Sequence, residues 1–305
     1  MWLVLVKVLA AVTIYGTAIE PRFVVRNDEP AAIPDLPAAW EGQQVAVFAD
    51  LQIGMWWANR DAARRLVKQV VALKPAFVLI PGDFVYDADE SVDSQMQEVL
   101  GILQPILDAH LPTYAVLGNH DYSLMNEGSK KESYVAARVR HALDSAGVHM
   151  MDNRVEPLYA PGTDSTTSRP LYLVGIGERW AKNDHDTSTF AAVPAGAPRL
   201  AFMHDPDSFA DIPAGAAPVA IAAHTHGMQL GIPWVTDYLW RHKYSDKGSG
   251  VEGWVAHYGQ AGNHVYINRG VGFSIIPARV NAVPELTVFT LNAARDTVAG
   301  VPHDQ

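Results

Sequence analysis

Short apolar runs that end in polar side chains restrict the fold of this chain more than any other feature. Three such runs lie in its first half: residues 45–49 before Asp50, residues 76–80 before Asp83, and residues 113–117 before Asn119, His120 and Asp121. Apolar residues at helical spacing fill the intervals, at residues 61–73 and 91–109. Alternating strands and helices of this kind predict an α/β fold with a parallel sheet that is buried on both faces.

The second half of the chain repeats the pattern with histidines at the ends of the runs. Residues 200–203 precede His204, and residues 219–223 precede His224 and His226. Because ligands bind at the carboxyl ends of strands in open α/β sheets, we expect all of these side chains to share one rim. The remaining predicted elements are strands at residues 265–267 and 286–290, a hairpin loop at residues 157–170, and a surface loop at residues 183–189.

The polar residues at the strand ends are of the types that bind divalent metal ions. They are Asp50, Gln52, Asp83, Asn119, His120, His204, His224 and His226. Carboxylates bridge two cations through their two oxygens, imidazoles suit manganese, iron, zinc and nickel, and amide oxygens complete harder sites. The chain has no cysteine, which excludes disulfides, thiolate zinc sites and cysteine nucleophiles. Each residue alone fits an ordinary turn, but the whole set predicts a dinuclear metal centre of the kind that clamps a phosphate.

The order of these residues resembles the calcineurin-like metallophosphoesterases. The family pattern is Asp-x-His, Gly-Asp, Gly-Asn-His-Asp/Glu, a separate His, and Gly-His-x-His. Here it reads Asp50-Leu51-Gln52, Gly82-Asp83, Gly118-Asn119-His120-Asp121, His204, and Ala223-His224-Thr225-His226. The resemblance spans residues 20–291, and residues 268–291 are similar to the end of the membrane-anchored bacterial branch. It implies a two-sheet β-sandwich flanked by helices, which is a four-layer αββα fold.

The resemblance also assigns roles to the predicted ligands. One metal ion would be held by Asp50, Gln52, Asp83 and His226, and the other by Asp83, Asn119, His204 and His224. His120 would lie over the phosphate and stabilise its charge or protonate the leaving oxygen, and Asp121 would orient His120. A hydroxide shared by the two metal ions would attack phosphorus in line. Among divalent ions we favour manganese, with iron, zinc, nickel and magnesium as alternatives.

Gln52 stands where the family pattern has a histidine. A glutamine ligates through its amide oxygen, which is harder than imidazole and usually binds more weakly. We therefore expect this metal site to be looser and to favour manganese or magnesium over zinc. The alternative, that Gln52 does not ligate and water takes its place, stays open.

Aromatic and basic residues follow the first and the last metal loops. We take Trp56, Trp57, Trp234 and Arg241 as candidate substrate-binding residues. Aromatic side chains mixed with bases beside a metal centre suit an amphiphilic phosphate ester or a membrane interface. Ordinary packing of a helix or hairpin produces the same pattern. A lipid-linked phosphoester is the substrate that we favour.

The N-terminus is apolar from residue 2 to residue 19, apart from Lys7. This length lies at the lower edge of a membrane span, and we interpret residues 1–19 as an anchor in the cell membrane. A cleaved signal and a buried first element are the alternatives, and the pattern does not assign the side of the membrane. Prolines at positions 30, 34 and 37 predict a linker at residues 20–41, followed by a catalytic domain at residues 42–295 and a tail at residues 296–305.

These features predict a metal-dependent phosphoric ester hydrolase that acts on a phosphodiester or a pyrophosphate. Two other interpretations stay open: a non-catalytic membrane protein that keeps the fold with an altered metal site, and a nucleotide phosphodiesterase. The chain carries 33 acidic and 23 basic residues, a net charge of -10. Because such a chain gets no general electrostatic help in binding phosphate backbones, we do not expect nucleic acid as a partner.

Overall fold

Two six-stranded sheets form the centre of the molecule in the computed structural model, which describes residues 1–294. The helices are α1 (Trp2–Ile14), α2 (Arg60–Leu73), α3 (Val92–Asp108), α4 (Ser133–Ser145), α5 (Asp186–Ala191) and α6 (Val235–Leu239). The strands are β1 (Val25–Ile33), β2 (Gln44–Val47), β3 (Phe77–Pro81), β4 (Thr113–Val116), β5 (His149–Met150), β6 (Arg154–Leu158), β7 (Leu171–Gly175), β8 (Arg199–Phe202), β9 (Ala220–Ala222), β10 (Gly253–Trp254), β11 (Val265–Ile267) and β12 (Glu285–Ala293). The predicted tail at residues 296–305 lies outside the described residues.

Each sheet is mixed and contains a run of parallel strands. The first has the order β1-β12-β2-β3-β4-β5, in which β2 to β5 are parallel and β12 is antiparallel to β2. The second has the order β10-β11-β9-β8-β7-β6, in which β11, β9, β8 and β7 are parallel. The carboxyl ends of these parallel strands therefore supply the loops for a common rim.

Alternation along the strands divides the core into layers. Val45 and Val47 of β2 point into a cluster shared with Phe202 of the second sheet, whereas Ala46 points into a cluster with α2, α3 and α4. A third cluster covers the outer face of the second sheet with α5 and the turn Pro206–Asp211. The layers are thus helix, sheet, sheet and helix, and the predicted two-sheet α/β sandwich is confirmed.

The segment predicted as a linker contains a strand of the first sheet. β1 pairs in parallel with β12 over nine residues, from Val25 opposite Glu285 to Ile33 opposite Ala293. Pro30 is tolerated because β1 forms an edge of the sheet, where a missing N–H does not break a ladder on both sides. Ile33 is fully buried in the core between the sheets. The linker interpretation of residues 20–41 is therefore wrong for this strand.

Two smaller loop predictions had different outcomes. The hairpin around residues 157–170 is present, because β6 and β7 pair antiparallel. The predicted surface loop at residues 183–189 is partly helical instead, since α5 begins at Asp186 and buries Thr189. The segment is short and mostly polar, so its sequence does not reveal the few apolar side chains that pack this helix against the second sheet.

The N-terminal helix stands apart from the core. Every residue of α1 is exposed, and the helical conformation continues through residue 22. The alternative of a buried first element is therefore wrong. By length and composition alone, Trp2–Arg22 is long and apolar enough to cross a membrane, a property that signal sequences share.

We predict that Ile33→Ala lowers the free energy of unfolding by about 2–5 kcal/mol, because it empties a fully buried site between the sheets. Urea denaturation followed by tryptophan fluorescence, in one detergent for all variants, measures the change. Asp28→Ala on the exposed face of the same strand is the matched control and should stay within about 0.5 kcal/mol. Equal stability of both variants would mean that residues 25–33 do not pair with β12.

Candidate metal centre

Loops that follow β2, β3, β4, β8 and β9 bring the seven predicted metal ligands to one rim. Five of these ligands have left-handed backbone conformations, with φ between 50° and 73°: Asp50, Gln52, Asp83, His224 and His226. Non-glycine residues adopt this region rarely, and such strained positions cluster at functional sites. The strained turns point the side chains inward, towards one another.

Two glycines let the backbone approach the carboxylates. A Cβ atom at Gly118 would lie 2.2 Å from Oδ1 of Asp83, and a Cβ at Gly270 would lie 2.2 Å from Oδ2 of Asp50. Any larger residue at either position would displace an acidic side chain from the centre. Gly270 also has a φ of 66°, which favours glycine on conformational grounds.

One group of ligands lies around Asp50. Oxygen or nitrogen atoms of Asp50, Asp83 and His226 lie within 4.8 Å of one another, and all three residues are buried. The Nε2 atom of Gln52 lies 2.7 Å from Oδ2 of Asp83 and 3.4 Å from Nε2 of His226. Gln52 therefore faces the same point as the other three side chains.

A second group lies on the other side of Asp83. Oδ1 of Asn119 is 3.0 Å from Nε2 of His204 and 2.9 Å from Nδ1 of His224. Nε2 of His204 is also 3.3 Å from Oδ2 of Asp83. The Asn119 amide donates to the carbonyl of Leu124 at 2.7 Å, which fixes its oxygen towards the histidines. Asp83 thus belongs to both groups.

The unsatisfied atoms at this rim fit metal ions. Both carboxylate oxygens of Asp50 and Oε1 of Gln52 are buried and find no hydrogen-bond partner among residues 1–294. Burial raises the pKa of Asp50 to about 8, so its charged form needs a nearby cation. Buried polar groups without partners are rare in proteins, and divalent cations would satisfy these oxygens. The residues therefore fit two divalent cations that share Asp83.

Two of the three candidate histidine ligands have the protonation state that a metal requires. Burial lowers the pKa of His224 to about 3 and that of His226 well below its usual value. Both rings are therefore neutral near pH 7, and the neutral imidazole is the form that ligates. The pKa of His204 is raised, because Asp83, Glu178 and Asp50 outweigh the effect of burial.

The amide of Gln52 bears on whether this residue ligates. With its nitrogen towards Asp83, Oε1 is the atom without a partner. A rotation of the amide by half a turn would direct this oxygen to the point that Asp83 and His226 share. Ligation by Gln52 stays a prediction.

The side chains of His120 and Asp121 make separate contacts, although the two residues are adjacent in sequence. The ring of His120 lines a cavity beside the ligands and stacks on Tyr86, with 4.7 Å between ring centres. Asp121 accepts hydrogen bonds from the backbone amides of Asp83, Phe84, Val85 and Gly118, at 2.9–3.2 Å. Nδ1 of His120 finds no partner within residues 1–294. The Asp121 carboxylate thus holds the turn that carries Asp83 and forms no hydrogen bond to the His120 ring within residues 1–294, and its role in orienting His120 stays a prediction.

The cavity beside the ligands has a volume of about 300 Å³ and a largely apolar wall. Its apolar side chains are Met125, Trp180, Met228, Trp240, Tyr244, Ile275 and Ile276. Trp180 packs edge-on against His224, with 4.9 Å between ring centres. The sequence analysis missed this residue, because β7, which precedes it, was not among the predicted strands.

The predicted substrate-binding residues lie outside this wall. The described residues that line the cavity do not include Trp56, Trp57, Trp234 or Arg241. Arg241 forms an ion pair with Asp237 at 2.6 Å, one helical turn away, and donates to the carbonyl of Gly248. The assignment of Arg241 to the substrate is therefore not supported by its contacts. The three tryptophans are exposed, with Trp234 the most exposed at 90%.

Arg279 is a second residue that the sequence analysis missed. Its guanidinium is fully buried, donates to the carbonyls of Gly272 and Ala282, and lies 3.2 Å from Nδ1 of His226. It supports His226 from the side opposite the metal ligands. Its only sequence signal was its place in the C-terminal run that resembles the membrane-anchored branch.

Comparison with known proteins assigns the family. A family model described as calcineurin-like phosphoesterase matches residues 44–228. The chain belongs to this family. The chain is therefore a hydrolase of phosphoric esters, as predicted, and the family implies two metal ions.

Three relatives illustrate the range of the family. Phosphodiesterase YaeI of Escherichia coli (strain K12) is 30% identical over 238 residues, which cover 76% of this chain and 78% of that protein. The transmembrane protein with metallophosphoesterase domain of Danio rerio is 23% identical and covers 94% of this chain and 62% of that protein. UDP-2,3-diacylglucosamine pyrophosphatase LpxG of Chlamydia trachomatis is 21% identical and covers 85% of this chain and 87% of that protein.

We predict that Asp121→Asn weakens metal binding, because an amide nitrogen would face backbone N–H groups that now donate to the carboxylate. Metal content after dialysis, measured by plasma mass spectrometry, should fall together with activity. His120→Gln is the matched control and should lose activity while keeping its metal. If Asp121→Asn kept its full metal content and lost only activity, Asp121 would act on His120 after all.

We predict opposite effects for two substitutions of Gln52. Gln52→His should tighten one of the two manganese sites, and Gln52→Leu should weaken the same site, because both change a ligand at the point shared by Asp83 and His226. Free Mn²⁺, followed by electron paramagnetic resonance during a titration, gives both affinities. Unchanged affinities in both variants would show that Gln52 does not ligate.

Proposed function

We propose that this enzyme hydrolyses a phosphodiester or pyrophosphate bond in a lipid-linked substrate, with two divalent metal ions. The apolar wall of the cavity beside the metal ligands is the observation that carries the proposal. A site for small polar phosphates has little use for Trp180, Trp240 and Ile276 beside its ligands. Burial of apolar substrate groups against such a wall contributes about 0.8 kcal/mol for each methylene.

The relatives support a substrate of this class. LpxG is named as a pyrophosphatase of a diacylated sugar nucleotide, and YaeI is named as a phosphodiesterase. Both bonds join two groups through phosphate; hydrolysis of the diester leaves a phosphate monoester on one product, and hydrolysis of the pyrophosphate leaves one on each product. Of these two substrate classes, the apolar wall favours the acylated one.

The roles of the residues follow from their positions. Asp50, Gln52, Asp83 and His226 would hold one cation, and Asp83, Asn119, His204 and His224 would hold the other. When bound, two such cations supply Lewis acidity to the phosphate and lower the pKa of the attacking water. We favour manganese, because oxygen ligands outnumber imidazoles at the Gln52 site.

His120 faces the phosphate from the cavity wall. Burial lowers the pKa of its ring, although Asp83 opposes this effect, so the ring is neutral near pH 7. Its backbone amide donates to Oδ1 of Asp83 at 2.9 Å, and Tyr86 fixes the plane of the ring. A ring N–H would therefore stabilise the charge on the phosphate or protonate the leaving oxygen.

Residues 1–19 would anchor the enzyme in the membrane that holds its substrate. The apolar helix has the length of a membrane span, and one relative is named as a transmembrane protein. The catalytic domain would then comprise the residues from the start of β1 onwards, rather than residues 42–295, because β1 completes the first sheet.

We expect the purified enzyme to hydrolyse bis(p-nitrophenyl) phosphate after chelation and re-addition of Mn²⁺, and His120→Ala to abolish this activity. Absorbance of released p-nitrophenol measures the rate for Mn²⁺, Mg²⁺, Zn²⁺ and Ni²⁺ in turn. His242→Ala, at an exposed histidine whose Nδ1 lies 2.8 Å from the carbonyl of Tyr238, is the control and should keep wild-type activity. Metal-loaded, folded enzyme without turnover would contradict the hydrolytic role.

We expect an acylated substrate to be preferred by at least about tenfold, because two or more buried methylenes suffice for that ratio. The comparison is the kcat/KM for UDP-2,3-diacylglucosamine against UDP-glucosamine. Met125→Gln, in the cavity wall, should lower kcat/KM for the acylated compound and leave bis(p-nitrophenyl) phosphate hydrolysis within about twofold. Equal kcat/KM for the two sugar nucleotides would contradict a lipid-linked substrate.

A further inference from the structure

Large apolar side chains project into solvent around the mouth of the cavity. Four of them define a surface that we name the apolar rim: Ile232, Trp234, Ile275 and Ile276. The exposed fractions are 90% for Trp234, 75% for Ile275 and 55% for Ile232. Single exposed apolar residues are common on proteins, but a group of this size beside a cavity marks an interaction surface.

Backbone strain supports the same interpretation. Ile275 has a φ of 66° and Trp234 has a φ of 61°, both in the left-handed region. A β-branched residue in this region is a rare outlier, and glycine or asparagine would fit the turn without strain. Because these side chains are exposed, they contribute little to the core that would justify the strain. These side chains therefore favour a contact with a partner outside the folded chain.

The rim is continuous with the end of the N-terminal helix. The backbone amide of Arg279 donates to the carbonyl of Gly16 at 2.8 Å. The carboxylate of Glu20 accepts from the amides of Asn281 and Ala282, at 2.8 and 2.6 Å. A Cβ atom at Gly16 would lie 2.6 Å from Val280, so the helix packs closely on this segment. The helix leaves the domain at a fixed place.

The same segment holds both arms of the rim. The amide of Val280 donates to the carbonyl of Gln229, and the amide of Gly231 donates to the carbonyl of Val280, each at 2.8 Å. Ile232 and Trp234 follow directly on one side, while Ile275 and Ile276 precede the segment on the other. Gln229 also donates to the carbonyl of Ile276 at 2.7 Å, which ties the two arms together.

Basic residues flank the rim near the helix. A hollow between the helical residues 15–22 and α2 is lined by Thr17, Trp57 and three arginines, Arg22, Arg60 and Arg64. Arg60 pairs with Glu98, and Arg64 lies 3.8 Å from Asp61, so three arginines against two carboxylates leave one positive charge in excess, in contrast to the net charge of -10 for the chain. Arginine beside tryptophan at the end of an apolar helix matches the headgroup level of an anionic bilayer.

We propose that the apolar rim lies in the interfacial layer of the bilayer that α1 spans, so that the cavity opens onto the lipid headgroups. The substrate then reaches the metal ligands by diffusing in the bilayer, and its acyl chains leave the membrane only in part. The proposal rests on the proposed lipid-linked substrate and membrane anchor, and it adds the surface that joins the two.

The absence of native cysteine permits a direct test of depth. The full chain, with a nitroxide on a single cysteine, is placed in nanodiscs of phosphatidylcholine and phosphatidylglycerol. We expect labels at Ile275→Cys and Trp234→Cys to collide with dissolved oxygen more than with a water-soluble nickel chelate. Tyr159→Cys is the matched control, because Tyr159 is partly exposed and follows β6 at the amino end of β7, opposite the metal rim. It should show the reverse preference.

Other outcomes separate the alternatives. A label at Val8→Cys tests insertion of α1 by itself, so a deep Val8 label with water-exposed rim labels would overturn the docking proposal and keep the anchor. Dipolar broadening between two labels at Ile275 would show a second copy of the chain on the rim and would also overturn it. Water-exposed labels at all positions would refute both the anchor and the docked rim.

Activity distinguishes this proposal from the proposed function. Ile232→Asp with Trp234→Asp should lower kcat/KM at least several-fold for an acylated substrate in a bilayer, and should leave bis(p-nitrophenyl) phosphate hydrolysis unchanged. Neither residue lines the cavity wall of the described chain. Deep labels without any turnover would refute the proposed function and keep the docked rim. Unchanged bilayer turnover in the double variant would overturn the docking proposal.

Discussion

The buried carboxylate of Asp83 is the group on which the arrangement of this site depends. It contacts Gln52 and His204, accepts from the backbone amide of His120, and belongs to both candidate ligand groups. Burial alone would raise its pKa, but His204 and His120 lower it, so the carboxylate keeps its charge. An isolated charge at this depth would be costly, and convergence of histidines and an amide oxygen around it offsets that cost. The loops at the carboxyl ends of the parallel strands must therefore meet at one place between the two sheets.

The positions of these loops depend on short-range features of the chain. Asp83 follows β3 in a left-handed turn, and the adjacent turn at Gly118 leaves room for its oxygen. Asp121 then accepts four backbone amides from the two turns and joins them. Burial and the nearby Asp83 raise the pKa of Asp121 to about 7, and the backbone amides of Gly118 and Val85 oppose this increase. Backbone hydrogen bonds to Asp121 therefore help to hold the turns that carry the candidate metal ligands.

The apolar runs before polar residues predicted that these side chains share one rim, because parallel strands place their carboxyl ends on one edge. The direction of individual side chains could not be predicted in this way. Asp121 follows His120 in a 3₁₀ turn, in which successive side chains point about 120° apart, so two residues adjacent in sequence make separate contacts. The sequence did not reveal β1, because only two of its nine residues, Ala31 and Ile33, are buried. The ion pair of Arg241 with Asp237, one helical turn away, was not visible either, because the sequence did not indicate a helix at residues 235–239.

The apolar N-terminal helix and the metal ligands are joined through single residues rather than through long paths. Arg279 donates its backbone amide to Gly16 at the end of the apolar helix, and its guanidinium lies against His226. Tyr86 stacks on His120, and Ile275 of the apolar rim lines the same cavity as His120. A rim seated in lipid, as proposed, would therefore bring the headgroup layer to the cavity that His120 and His226 line.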